Sequence, residues 1–422
     1  MASGGIDATL NLPGSKSITN RWLVIAALSD QTTVLGRPLR ARDTELMAAA
    51  LQALGCGIEW RTDTVSITPA SVWGSADIDC GLAGNVMRFV PAISGLAQGV
   101  VRFDGDPRAR ERPIAPLLTA LRHSGVVVDD GGRGALPFSI EGRGHIRGGD
   151  VPIDGTASSQ FVTAMLLAGC RYDEGLQLRH IGNALPSRPH IQMTLRLLEL
   201  SSVDVMAQGE GEWIVKPGIP RVTNAVVEPD LSNAFAFFCA ALATRGTCTV
   251  ADFSAMSVQP THKVQEIVQA FGGTFHQGSD FLSVSASDTP RGIDLDLGDV
   301  GELVPNVAAI AAIASSPSRI RGVAHLRGHE TDRLAALVAE LSSLGCDIAE
   351  TVDGLTIHPR PLSGGLFRTY HDHRMATSGA LIGLTTPGVE VEDIATTGKT
   401  LPDFPALWRQ MLGTNDVGQR VE

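Results

Sequence analysis

Two kinds of apolar pattern alternate along the chain. The first is an amphipathic helix closed by a small or turn residue, as in DTELMAAALQALG, HKVQEIVQAFGG and TDRLAALVAELSSLG. Six such segments end near Gly55, Gly125, Ser202, Gly272, Gly345 and Gly413, with gaps of 70, 77, 70, 73 and 68 residues. In the fifth, Leu334, Leu337, Val338, Leu341 and Leu344 make the i, i+3, i+4, i+7 stripe of a helix packed on a core. The terminal glycine is the expected C-cap residue.

The second pattern is more apolar and precedes each of these, as in SITNRWLVIAAL, LSNAFAFFCAALAT and GELVPNVAAIAAIAS. Measured at Ser17, Asn85, Ser158, Ser232, Glu302 and Asp372, it steps by 68, 73, 74, 70 and 70. Strand-like runs give a third register in the first five units: TVSITP, PFSIEG, EWIVKP, FLSVSA and GLTIHP. The spacing predicts six units of about 70 residues, each a β-α-β-α-β-β arrangement of α/β (α+β) class. A break near residues 221–230 divides them three and three.

Composition narrows the class. The chain has 422 residues, 43% hydrophobic and 19% charged, with a net charge of −11. A disordered or collagen-like chain is excluded, and a nucleic-acid protein is disfavoured. No apolar run approaches the roughly 18 residues of a membrane span, and the start MASGGIDATLNL has no signal-peptide pattern. Six cysteines without C-x-x-C or zinc-like spacing read as buried thiols in a reducing cytoplasm. Only four lysines occur (Lys16, Lys216, Lys263, Lys399), so nearly all positive charge is arginine.

Polar residues crowd at the starts of the apolar helices: Lys16, Ser17 and Arg21; Asn85 and Arg88; Ser158, Ser159 and Gln160; Asp230, Ser232 and Asn233; Glu302; Asp372, His373 and Arg374. Ser232 and Asn233 read as N-caps. Capping does not account for Lys16, Arg21, Arg88 and Arg374, because cations at a positive helix end are disfavoured unless an anion lies between. Further basic residues fall in GDPRARERP (Arg108, Arg110, Arg112), HETDR (His329, Glu330, Arg333) and TTGKT (Lys399). The pattern suits an anion with more than one charged group. There is no Walker-type loop, no G-x-G-x-x-G opening a helix, no H-E-x-x-H and no G-x-S-x-G. His325 with His329, and His371 with Asp372 and His373, have metal-like spacing, but arginines are interleaved with every candidate ligand, which argues against a metal.

The segments PGSKSITNR, GDPRARERPI, SSQF, HETDRL, DHRM and GKTLPDF, in this order along nearly the whole chain, resemble the 5-enolpyruvylshikimate-3-phosphate synthases. The resemblance implies a two-domain inverse α/β barrel of six β-α-β-α-β-β repeats. Residues 14–228 would form one domain, residues 1–13 with 229–422 the other, and the active site would lie in the cleft that closes on the substrates. It implies transfer of the carboxyvinyl group of phosphoenolpyruvate to the 5-hydroxyl of shikimate 3-phosphate by a cytoplasmic monomer, without metal, organic cofactor, nucleic acid or membrane. By family position Lys16, Ser17, Arg21, Ser158, Ser159, Gln160, Ser187, Glu302 and His329 would hold shikimate 3-phosphate. Lys16, Gly84, Arg112, Gln160, Arg333, Arg374 and Lys399 would hold phosphoenolpyruvate. Glu302 would accept the hydroxyl proton, Glu330 would handle the methylene proton, and Lys16 would assist phosphate departure.

The segment GLAGNVMRF departs from the family pattern, with Leu82, Asn85 and Phe89 where asparagine, threonine and proline are usual. That implies retained activity with altered affinity for the family inhibitor glyphosate. The sister transferase acting on UDP-N-acetylglucosamine fits less well. Its reactive cysteine is missing from GDPRARERP, and Lys16-Ser17 stands where the sister has Lys-Asn. A catalytically inactive anion-binding relative would lack Lys16 or a catalytic carboxylate, and this chain keeps them.

Overall fold

The computed structural model describes residues 4–413. The chain divides into two compact units, Gly14–Val227 and the remainder, residues 4–13 with 228–413. Glu228 therefore falls one residue beyond the expected boundary. Its carboxylate accepts from Ser257 Oγ at 2.8 Å and Val258 N at 3.2 Å, which ties it to the second unit.

Twelve helices carry the repeats. The first unit holds α1 (Lys16–Ala27), α2 (Arg42–Ala53), α3 (Val86–Ser94), α4 (Ala115–His123), α5 (Ser159–Gly169) and α6 (Arg188–Leu200). The second holds α7 (Leu231–Thr244), α8 (Thr261–Phe271), α9 (Val304–Ala312), α10 (Arg333–Ser343), α11 (His373–Thr385) and α12 (Phe404–Met411). Odd-numbered helices are buried on nearly all sides, polar residues near their starts included. All nine residues of α3 and of α9 are buried, and α7, α9 and α11 pack against one another inside the second unit. Even-numbered helices bury one face, as α10 does with Leu334, Leu337 and Leu341. All six residues that close them are left-handed: Gly55, Gly125, Gly272, Gly345 and Gly413, with Ser202 adopting φ 62° without glycine's freedom.

Five four-stranded sheets share one pattern: a parallel pair, then two antiparallel neighbours. The third position in each is the strand-like run read from sequence, Thr64–Thr68, Phe138–Arg143, Glu212–Val215, Phe281–Ser285 and Leu355–His358. Strand Asp7–Leu10 pairs in parallel with Thr247–Ala251 of the second unit. Asn224–Val226 returns to complete the first sheet beside Thr33–Gly36. The sixth repeat has a two-stranded sheet among the described residues. No described helix is long and apolar enough to cross a membrane, and all six cysteines are buried and free.

Candidate active site

The apolar helices are buried, so the polar residues at their starts stand where the interior of each repeat ends. In the first unit, Lys16 opens α1 and its ammonium lies 3.2 Å from Asp43 at the start of α2. One turn on, Arg21 is only 2% exposed. Its guanidinium donates to Thr194 Oγ1 at 2.8 Å, Ser17 O at 2.8 Å and His190 O at 3.1 Å, and lies 5.6 Å over the Phe89 ring. Every one of these partners is neutral, and burial lowers the Arg21 pKa to about 9. A buried cation without a counter-ion is costly, so this position is suited to an incoming anion.

Two more guanidinium groups converge on Gly84. Arg88 donates to Gln160 Oε1 at 2.9 Å and Gly84 O at 3.4 Å, and Arg112 donates to Leu82 O at 3.3 Å. A Cβ on Gly84 would sit 2.7 Å from Arg88 Nη1 and 3.1 Å from Arg112 Nη2, which is why the backbone needs glycine there. Asn85 is buried and makes no side-chain capping bond to α3. Ser158 caps α5 by accepting from Gln160 N, and Ser159 is buried beside it. Ser187 starts α6 in a left-handed conformation (φ 53°), and its carbonyl accepts from His190 N. Ser17, Arg21 and Ser187 thus form one group through Arg21 and His190, and Arg88, Gln160 and Gly84 form a second with Arg112 beside it. Arg108 and Arg110 stay outside it, exposed and paired with Glu111 and Asp104.

The second unit contributes a closed ring of polar contacts. Asp372 grips Arg333 through Nε at 2.8 Å and Nη2 at 3.1 Å. Arg333 also donates to Glu330 Oε2 at 3.2 Å and to His329 Nδ1 at 3.2 Å. A guanidinium can only donate, so Nδ1 of His329 accepts and its ring proton resides on Nε2. Lys399 binds the other Glu330 oxygen at 2.7 Å. Arg374 donates to Ser232 O at 2.7 Å and Ser232 Oγ at 2.5 Å. Asn233 bridges to Thr400, beside Lys399. Asp230, rather than Ser232 or Asn233, caps α7, which leaves Ser232 to hold Arg374.

Electrostatics separates the two arginines of the ring. Burial alone would lower the Arg333 pKa, but the charges of Asp372 and Glu330 outweigh it and hold the group well above its ordinary value. Burial dominates at Arg374 and pushes its pKa down. Glu302 lies in the turn Gly298–Leu303 just ahead of α9, half-buried, and its charge is felt by His325, Arg333 and Arg374. The His325 ring lies 5.6 Å from that of His329, edge-on, and burial lowers its pKa. No group of three or more His, Cys, Asp or Glu among the described residues is arranged to hold a metal ion. The roles of Asp43, Thr194 and Phe89 were not legible in the sequence, because only tertiary packing brings them to Lys16 and Arg21.

Solved structures share this α/β fold. An EPSP synthase from Acinetobacter baumannii matches with a TM-score of 0.79 at 24% identity, covering 97% of this chain and 96% of that one. An enolpyruvyl transferase from Streptomyces tendae matches at 0.77 and 16%, with the same coverage. Curated relatives named 3-phosphoshikimate 1-carboxyvinyltransferase are 49% identical in Kocuria rhizophila, over 97% of this chain and 94% of that protein. A second, from Mycobacterium ulcerans, is 48% identical over 96% and 95%. The chain belongs to the EPSP synthase (3-phosphoshikimate 1-carboxyvinyltransferase) family, whose model matches residues 2–408.

Proposed function

We propose that the chain transfers the carboxyvinyl group of phosphoenolpyruvate to the 5-hydroxyl of shikimate 3-phosphate and releases phosphate. The observation that carries the residue assignment is the set of buried guanidinium groups hydrogen-bonded to neutral oxygens, at Arg21, Arg112 and Arg374. Two substrates bearing two phosphates and two carboxylates supply the missing anions, and the guanidinium fork suits them. Lys16, Ser17, Arg21, Ser158, Ser159, Gln160, Ser187, Glu302 and His329 take shikimate 3-phosphate. Lys16, Gly84, Arg112, Gln160, Arg333, Arg374 and Lys399 take phosphoenolpyruvate.

In the addition step the 5-oxygen bonds to C2 of phosphoenolpyruvate, its proton passes to Glu302, and C3 gains a proton from Glu330. In the elimination step C3 returns a proton to Glu330 and the bond from C2 to the phosphate oxygen breaks. Phosphate then leaves with the proton held by Glu302, assisted by the Lys16 ammonium. Glu330 starts as an ion-pair partner of Lys399 and Arg333. Exchange of those partners for the anions of phosphoenolpyruvate lets the Glu330 carboxylate take up a proton from water, and this is the proton that C3 receives in the addition step and returns in the elimination step.

The assignment gives each unit donors for the same substrates. Closure is expected on binding, and small-angle scattering unchanged by shikimate 3-phosphate with glyphosate would contradict it. A monomer in a reducing cytoplasm, using no metal or organic cofactor, completes the reading. Glu302→Gln tests the central role. It should bind shikimate 3-phosphate nearly as wild type but turn over about 100-fold slower, and full activity in that variant would refute the assignment.

A further inference from the structure

Helix α10 is tied to one short segment, residues 368–372, at two points. At its first residue, Arg333 is gripped by Asp372. About two turns on, the Glu340 carboxylate, 1% exposed, accepts from Arg368 N at 2.8 Å and Tyr370 Oη at 2.5 Å. Between these ties Tyr370 and His371 are both left-handed, with φ of 53° and 54°. Two successive non-glycine residues in that region carry backbone strain, which persists only where the surroundings impose it. Thr369 N on Glu392 at 3.0 Å and Asp372 N on Thr369 O at 2.8 Å hold the segment from its other sides. The strained turn delivers Asp372 both to Arg333 and to the start of α11, where it accepts from Arg374 N at 2.8 Å.

We propose that Tyr370 and Glu340 are positioning residues for phosphoenolpyruvate: their hydrogen bond holds the left-handed turn that aims Asp372 at Arg333. The inference rests on the reading that Arg333 binds phosphoenolpyruvate. Burial and the neighbouring Glu340 push the Tyr370 phenol up to about 12, so it remains a donor throughout the neutral range. Tyr370 is 36% exposed, so Tyr370→Phe removes no core packing, although the buried Glu340 carboxylate loses the phenol donor and keeps Arg368 N.

Steady-state kinetics of Tyr370→Phe, with each substrate varied in turn, tests this. The KM for phosphoenolpyruvate is expected to rise about ten-fold, the loss of one hydrogen bond to a charged group. The KM for shikimate 3-phosphate and kcat should stay near wild type, a split that a merely structural role would not produce, while the thermal midpoint falls slightly because the buried Glu340 carboxylate loses one donor. Glu340→Gln, where it folds, should show the same split. An unchanged KM for phosphoenolpyruvate in folded Tyr370→Phe overturns the proposal, as does a joint rise of both KM values. Arg333→Lys separates the layers. If it raises the KM for phosphoenolpyruvate while Tyr370→Phe does not, the positioning role alone fails. If it leaves that KM unchanged, the Arg333 assignment fails and the positioning role with it.

Discussion

Asp372 and Arg333 form a buried, two-pronged ion pair, with contacts of 2.8 and 3.1 Å and both side chains at most 3% exposed. Removing one partner strands the other charge away from water. Arg333→Ala is therefore expected to cost about 3–5 kcal/mol of stability, read by chemical denaturation. A loss below about 1 kcal/mol would place the pair in the surface class instead.

Arg21 presents the opposite case, a buried guanidinium bonded only to neutral oxygens. Arg21→Met is expected to leave the ligand-free protein as stable as wild type, or to stabilise it by about 1 kcal/mol. Affinity for shikimate 3-phosphate should fall about 100-fold. Calorimetric titration and thermal unfolding check both halves, and a destabilised protein with intact affinity would reverse the assignment.

Much of the fold was legible because it repeats. The six left-handed helix ends and the five equivalent strands each recur at a near-constant step, and a recurring signal stands out where a single one does not. The candidate site was legible as residue types at helix starts. What the sequence could not show is partnership. Arg108, Arg110 and Arg112 share one loop, yet the first two meet Glu111 and Asp104 at the surface while Arg112 turns inward. Asp43 reads as an ordinary first-turn acid until packing sets it beside Lys16. Asp372 stands in the sequence only as one polar residue at a helix start; it caps that helix, and its second role on Arg333 depends on a residue 39 positions away.

Gly84 tests the convergence of Arg88 and Arg112. A methyl group there would sit 2.7 Å from one guanidinium and 3.1 Å from the other, forcing both to shift. Gly84→Ala is expected to raise the KM for phosphoenolpyruvate about ten-fold, with the KM for shikimate 3-phosphate little changed. Kinetics with each substrate varied in turn check this split.

The neighbouring Asn85 should influence inhibitor binding more than turnover. Asn85→Thr is expected to keep kcat while changing the inhibition constant for glyphosate. An unchanged constant would show that the departure from the family pattern is silent.

His325 sets a pH dependence. Burial lowers its pKa below the ordinary 6.5, with Glu302 opposing that shift and Arg333 reinforcing it. The unfolded chain thus binds this proton more readily than the folded one. The stability associated with neutral His325 is complete above pH 6.5 and is lost as pH falls below it. Wild type should lose more stability than His325→Gln between about pH 7 and pH 5, and parallel denaturation curves would contradict this.

The most direct test is phosphate release from phosphoenolpyruvate by the wild-type protein, measured with shikimate 3-phosphate, with UDP-N-acetylglucosamine and with neither. Release is expected only with shikimate 3-phosphate. Release with the sugar nucleotide, or none with any acceptor, would contradict the assigned reaction.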